Sequence, residues 1–118
     1  MEFQTGRSIF LQIADTIIER VMKEEFTTGE KIPSVRELAA EMGVNPNTIM
    51  RTYNELQAMG IIENQRGIGY FVTNEAQKII TEEKKKEFFE KVLPDFLKHA
   101  EMLGITAGEL QKHIKTLN

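Results

Sequence analysis

Residues 34–60 constrain the fold more than any other stretch. Ser34 and Glu37 have the S-x-x-E spacing of a capping box, in which each side chain satisfies an orphan backbone donor at a helix start. Val35, Leu38, Ala39 and Met42 fall on one face of the helix that begins there. Gly43 is placed to end it in the left-handed conformation. Asn45 then offers a strong N-cap, and Pro46 sits at the first helical position, where its missing N–H costs nothing. Ile49, Tyr53, Leu56 and Met59 give the new helix an apolar stripe, and Gly60 closes it. Two helices joined across Gly43-Val44-Asn45 have the proportions of a helix-turn-helix.

The flanks extend this unit. Ile9, Ile13, Ala14, Ile17, Val21 and Met22 recur at helical spacing and predict a helix over about 8–25. Thr27-Thr28-Gly29 is expected to end it, and Lys31-Ile32-Pro33 reads as an extended connector. After Gly60, two β-type runs, 61–65 and 70–73, are joined by Arg66-Gly67-Ile68-Gly69. The expected architecture is mainly α with a small β-hairpin. It is a winged helix-turn-helix over residues 1–73, followed by a two-helix tail over 74–118. In the tail, Phe89, Val92, Leu93, Phe96, Ala100 and Leu103 continue an apolar pattern begun by Ala76, Ile79 and Ile80. Pro94 predicts a kink or break just before it. Gly104 ends that helix, and Thr106 with Glu109 forms a second capping box for a last helix bearing Leu110, Ile114 and Leu117.

The helix from Pro46 carries the chemistry. On a wheel at about 100° per residue, Asn47, Met50, Arg51, Asn54 and Ala58 cluster opposite the apolar stripe. A face meant only for solubility would carry Glu and Lys. Asn bonds adenine in two places, Arg grips guanine, and an apolar group touches the thymine methyl. Asn45 and Thr48 lie at the helix N-terminus, where backbone N–H groups suit a phosphate. Arg36 is positioned to reach the phosphate backbone, and Arg66 with Gly67 to reach a phosphate or the minor groove. Each assignment has a structural alternative. Arg36 could pair with Glu37 or Glu41, and Arg51 with Glu55 at i+4. Asn45 could serve only as a cap, Arg66 only solubility, and Gly67 only the turn.

Charge does not advertise nucleic-acid binding. Residues 1–73 hold 7 Lys+Arg against 10 Asp+Glu, and residues 74–118 hold 8 of each. A DNA-binding domain usually carries a basic excess, so the reading rests on placement. With Cys 0, disulfides, thiol catalysis and cysteine zinc sites are excluded. His99 and His113 stand on different predicted helices, so no metal and no cofactor are expected. There is no nucleophile–base pair to suggest an enzyme. No window approaches the roughly 18 apolar residues of a membrane span. The start MEFQTGRSIF lacks a secretory-signal layout, so a cytoplasmic location is expected.

These residues match a known pattern. The run Gly29-Glu30-Lys31-Ile32-Pro33-Ser34-Val35-Arg36-Glu37-Leu38-Ala39 resembles the GntR-family signature G-x-x-L-P-S-x-R-x-L-A, with Ile32 for the usual leucine. Val44 to Thr48, Gly60-Ile61-Ile62, Arg66 to Val72, and Phe10-Leu11-Gln12-Ile13 continue the likeness over about residues 7–73. The resemblance implies a winged helix-turn-helix that binds palindromic operator DNA as a homodimer. It implies DNA contacts at Arg36, Asn45, Asn47, Thr48, Arg66 and Gly67, and along the recognition helix. Many members have arginines where this chain has Pro46 and Met50, so those contacts do not carry over, and Arg51 stands in. The Asn-Pro-Asn-Thr form and the short tail are similar to the YtrA subfamily, in which the tail serves dimerisation. On this reading Phe89, Val92, Leu93, Phe96, Ala100 and Leu103 meet a second copy, which leaves room for a small-molecule effector only at the dimer interface. The alternative for the stripe is that it folds back on its own domain. The expected function is a transcription regulator, a repressor by preference. The alternative is a winged-helix protein–protein interaction module, which the acidic balance favours.

Overall fold

The computed structural model describes residues 6–117. Residues 1–5, which open the stretch read for a secretory signal, and Asn118 lie outside the described residues. The chain divides into two compact units, the first ending at Thr81 and the second beginning at Glu82.

The first unit is built on α1 (Ile9–Met22), α2 (Val35–Met42) and α3 (Pro46–Ala58), followed by the hairpin β1 (Ile62–Gln65) and β2 (Gly69–Val72). Helix α1 buries Ile13, Ala14, Ile17, Ile18 and Val21. It ends at Met22, short of the expected limit near residue 25. Glu24 takes a positive φ of 61°, and the chain folds back so that the Phe26 N–H donates to the Arg20 carbonyl at 3.2 Å. Phe26 thereby enters the core, under the Arg20 guanidinium at 4.1 Å. Ile9 and Met22, expected in the buried stripe, are exposed at the two ends of α1.

The expected caps are present. Ser34 Oγ accepts from the Glu37 N–H at 3.1 Å, and the Ser34 N–H donates to Glu37 Oε1 at 2.9 Å. Gly43 closes α2 in the left-handed conformation. Asn45 Oδ1 accepts from the Asn47 N–H at 2.8 Å, and Pro46 occupies the first turn of α3. Helix α3 packs on both α1 and α2 and buries Ile49, Thr52, Tyr53 and Leu56. The Tyr53 hydroxyl donates to the Pro33 carbonyl at 2.6 Å, so this large core residue leaves no polar atom unsatisfied. Burial pushes its ionisation well above the ordinary tyrosine value.

The hairpin pairs antiparallel, Ile62 with Val72 through Gln65 with Gly69. Residues 29–32 are more than a connector. Gly29 donates to Val72 at 2.8 Å, Val72 to Glu30 at 3.1 Å, and Ile32 to Tyr70 at 2.9 Å, so this segment lies along β2. The next helix, α4 (Ala76–Glu87), begins inside the first unit: Ala76 and Ile80 join its core. The compact unit therefore runs past the boundary expected at Thr73.

In the second unit the helical chain passes through a π-helical stretch, Phe88–Val92, before α5 (Leu93–Met102). The interruption lies just ahead of Pro94, because proline offers no N–H to an upstream carbonyl and its ring crowds the preceding turn. Helix α6 (Ala107–Ile114) starts at the Thr106–Glu109 capping box.

Candidate nucleic-acid interface

Three elements of the first unit present the candidate residues: the start of α2, the exposed face of α3 and the hairpin tip. Packing decides the face of α3. With Ile49, Thr52, Tyr53 and Leu56 turned inward, Asn47, Met50, Arg51, Asn54 and Ala58 are left outside. Thr48 is half-buried at the first turn. Asn45 is exposed, with its carbonyl oxygen occupied by the cap, so its amide donors remain available to a ligand.

Electrostatics separate the arginines of this unit into two groups, with Lys23 paired like the first. On and beside α1, Arg7 pairs with Asp15 at 2.6 Å, Lys23 with Glu19 at 2.9 Å, and Arg20 with Glu25 and Glu41. Among the described residues, Arg36, Arg51 and Arg66 have no carboxylate at ion-pair distance. The carboxylates that might have neutralised Arg36 are engaged elsewhere. Glu41 reaches Arg20 at 3.3 Å. Glu37 is held by the Ser34 N–H and hydroxyl, which keep its carboxyl below the usual value. Arg51 does not form the i+4 pair with Glu55; its guanidinium lies 4.3 Å from the centroid of the Phe10 ring. A net-acidic unit thus leaves uncompensated arginines at α2, α3 and the hairpin.

The wing is shaped for close approach. Arg66 and Gly67 stand at its tip, and Gly67 has φ 79°, which a side chain would strain. At its base a Cβ on Gly69 would meet Lys31 Cε at 2.6 Å, so glycine makes space for the Lys31 stem. The ammonium of Lys31 therefore lies beside the wing, a cation that reading 31–33 as a connector overlooks. The missing signal is non-local, since only pairing with β2 brings Lys31 there. The wing is also coupled to α3. Tyr70 packs edge-on against Tyr53 with centroids 4.8 Å apart, and its hydroxyl donates to Met50 Sδ at 3.9 Å. Met50 is 41% exposed, so it keeps a surface for an apolar contact.

In the second unit Phe89, Val92, Phe96 and Leu103 are exposed, while Leu93 is half-buried and Ala100 is buried within the chain. Phe88, Leu97 and Met102 are exposed as well.

The chain resembles known regulators in sequence and in fold. The family model described as bacterial regulatory proteins, gntR family, matches residues 10–72. The chain is 44% identical over 115 residues to YhcF of Bacillus subtilis, named an uncharacterized HTH-type transcriptional regulator, covering 98% of this chain and 93% of that protein. It is 34% identical over 115 residues to the HTH-type transcriptional repressor YtrA of the same organism, covering 98% and 88%. A transcriptional regulator from Oenococcus oeni superposes with a TM-score of 0.80 at 25% identity, covering 99% of this chain and 96% of that one. The DNA-binding domain of AraR, solved in complex with operator ORX1, superposes with a TM-score of 0.54 at 26% identity, covering 61% and 93%. A helix-turn-helix with an open, arginine-bearing face, a wing beside it and a family match across both carry one conclusion: this chain belongs to the gntR family of bacterial regulatory proteins, and over its length it is similar to the YtrA type.

Proposed function

We propose that this DNA-binding transcription regulator works in the cytoplasm as a homodimer, binds a palindromic operator and represses transcription there. The observation that carries this is the set of arginines, Arg36, Arg51 and Arg66, left without carboxylates while Arg7, Arg20 and Lys23 are paired. Helix α3 enters the major groove, with Asn47, Met50, Arg51 and Asn54 toward the bases. Asn45, Thr48 and Arg36 meet phosphates, and Arg66 with Gly67 brings the wing to the backbone or minor groove. The likeness to the AraR DNA-binding domain, solved with an operator, supports DNA binding through this unit.

The tail, residues 74–118 less the first turns of α4, serves dimerisation. Phe89, Val92, Phe96 and Leu103 lie open in the single chain, and a second copy buries them. Such pairing sets two recognition helices about one DNA turn, roughly 34 Å, apart. A small-molecule effector would bind at that interface, where two tails together can enclose a pocket.

The test is fluorescence anisotropy on DNA from upstream of the protein's own gene, with scrambled DNA as control, at about 50 and about 200 mM salt. Tight, selective binding by two chains, weakening steeply with salt, is the expected result. Binding that ignores both sequence and salt would sink the operator assignment and favour the protein-interaction alternative.

A further inference from the structure

Arg51 meets Phe10 where α3 crosses α1. The guanidinium carbon lies 4.3 Å from the ring centroid, with Arg51 exposed and Phe10 half-buried. The contact is anchored from below. Thr52, the next residue on α3, is fully buried, and its hydroxyl is shared between the Phe10 carbonyl at 3.0 Å and the Thr48 carbonyl at 2.9 Å. The backbone that carries the ring is thus tied to the residue adjacent to the arginine, which keeps the two side chains within reach of each other.

A guanidinium is planar, with its N–H donors around the edge. A ring against one face leaves that edge open. A bidentate contact to guanine O6 and N7 uses the edge, so stacking and base reading are compatible. A pair with Glu55 would have consumed the same donors. We infer that Phe10 is a positioning residue for sequence readout, holding Arg51 in a reading pose before DNA arrives; this rests on the reading of α3 as the base-contacting helix. The physical reason is entropic. A loose arginine must surrender rotamer freedom to make a directional base contact, whereas a stacked one has already lost it. A phosphate contact, even a bidentate one, is alike at every base step and gains no sequence preference from that order. Phe10 therefore acts on discrimination between sequences more than on affinity for DNA in general.

The experiment compares wild type, Phe10→Leu, Phe10→Tyr, Arg51→Ala and the Phe10→Leu/Arg51→Ala double variant. Each is put through selection from a randomised duplex library, then anisotropy on the selected and a scrambled duplex. Phe10→Leu keeps apolar volume and loses the ring face, and Phe10→Tyr keeps the face. Phe10→Leu should lower the selected-to-scrambled affinity ratio about two- to fivefold, the equivalent of an exposed cation–π contact. It should relax the same base positions as Arg51→Ala and leave scrambled binding unchanged. Phe10→Tyr should restore wild-type selectivity, and Phe10→Leu should add nothing in the Arg51→Ala background. In DNA-free protein, the Arg51 Cδ protons should show a ring-current upfield shift that Phe10→Leu abolishes. Equal losses on both duplexes, a Phe10→Leu effect that persists without Arg51, or no ring-current shift would overturn the inference. A wild-type chain that shows the shift but selects no sequence would overturn the operator reading, and the positioning role with it.

Discussion

The two units of this chain treat their apolar residues in opposite ways. In the first, Ile13, Leu38, Ile49, Tyr53, Leu56 and Ile61 are all at 0% exposure. In the second, Phe89 is 62% exposed, Leu103 74% and Met102 83%, and among the described residues Ala100 alone is buried there. The first unit closes three helices and a hairpin around its own core. A stretch of fewer than about 40 residues rarely buries enough surface to do so alone. One unit is a finished fold, and the other leaves its large apolar side chains open, as the proposed homodimer requires.

The largest effect should come from emptying the finished core. Leu56→Ala should destabilise the first unit by about 2–5 kcal/mol, through lost burial and the cavity left behind, read by urea denaturation. In contrast, Phe89→Glu with Phe96→Glu should leave the first unit's unfolding free energy nearly unchanged while converting dimer to monomer in sedimentation velocity. Operator affinity should then fall by about 10²-fold or more, as two linked half-site contacts become independent. If that double variant instead unfolded the first unit as Leu56→Ala does, the contrast between the units would be wrong.

The next effect sharpens the comparison inside the first unit, between paired and unpaired cations. Arg36→Ala should weaken binding evenly across sequences and reduce the salt slope by about 1 per chain. Arg7→Ala, which breaks the exposed pair with Asp15, should cost stability only about 0–1 kcal/mol and leave DNA affinity unchanged. Equal losses of affinity in the two would show that pairing does not mark the interface.

The smallest effect is a pH dependence at the α2 cap. The Ser34 N–H and hydroxyl hold the Glu37 carboxyl below its usual 4.5, so the folded state favours the ionised form. That contribution is fully present above the usual value and is lost as pH falls through the lowered one. Glu37→Gln keeps a side chain able to accept at the cap and should flatten the acid limb of a melting-temperature profile by a small amount. An unchanged profile would mean that the capping carboxylate is not titrating with folding.

Much of the first unit is legible locally. The Ser34 capping box, the Gly43 stop and the Asn45-Pro46 start each involve residues within a turn of one another, and α2 and α3 begin and end where those signals stand. The exposed face of α3 comes from the same 3.6-residue period. The end of α1 is not legible in this way, because Phe26 folds back only after Glu24 adopts an unusual φ and the core offers it a place. In the tail, uniform periodicity misplaces Ala100 and overlooks Phe88, Leu97 and Met102. Proline announces an interruption but not its π-helical form.

By itself, then, the sequence determined the helix-turn-helix, its caps, the hairpin and which α3 side chains face outward, since all of these depend on hydrogen bonds and spacings within a few residues. Tertiary structure alone decided that residues 29–32 line β2 and bring Lys31 to the wing. It alone assigned Glu41 to Arg20, left Arg36 without a carboxylate and set Arg51 on Phe10 rather than Glu55. Those outcomes turn on which of several nearby charges and rings a side chain meets after the helices pack, and partners 21 or 42 positions apart along the chain, as for Arg20 with Glu41 and Thr52 with Phe10, carry no local signal.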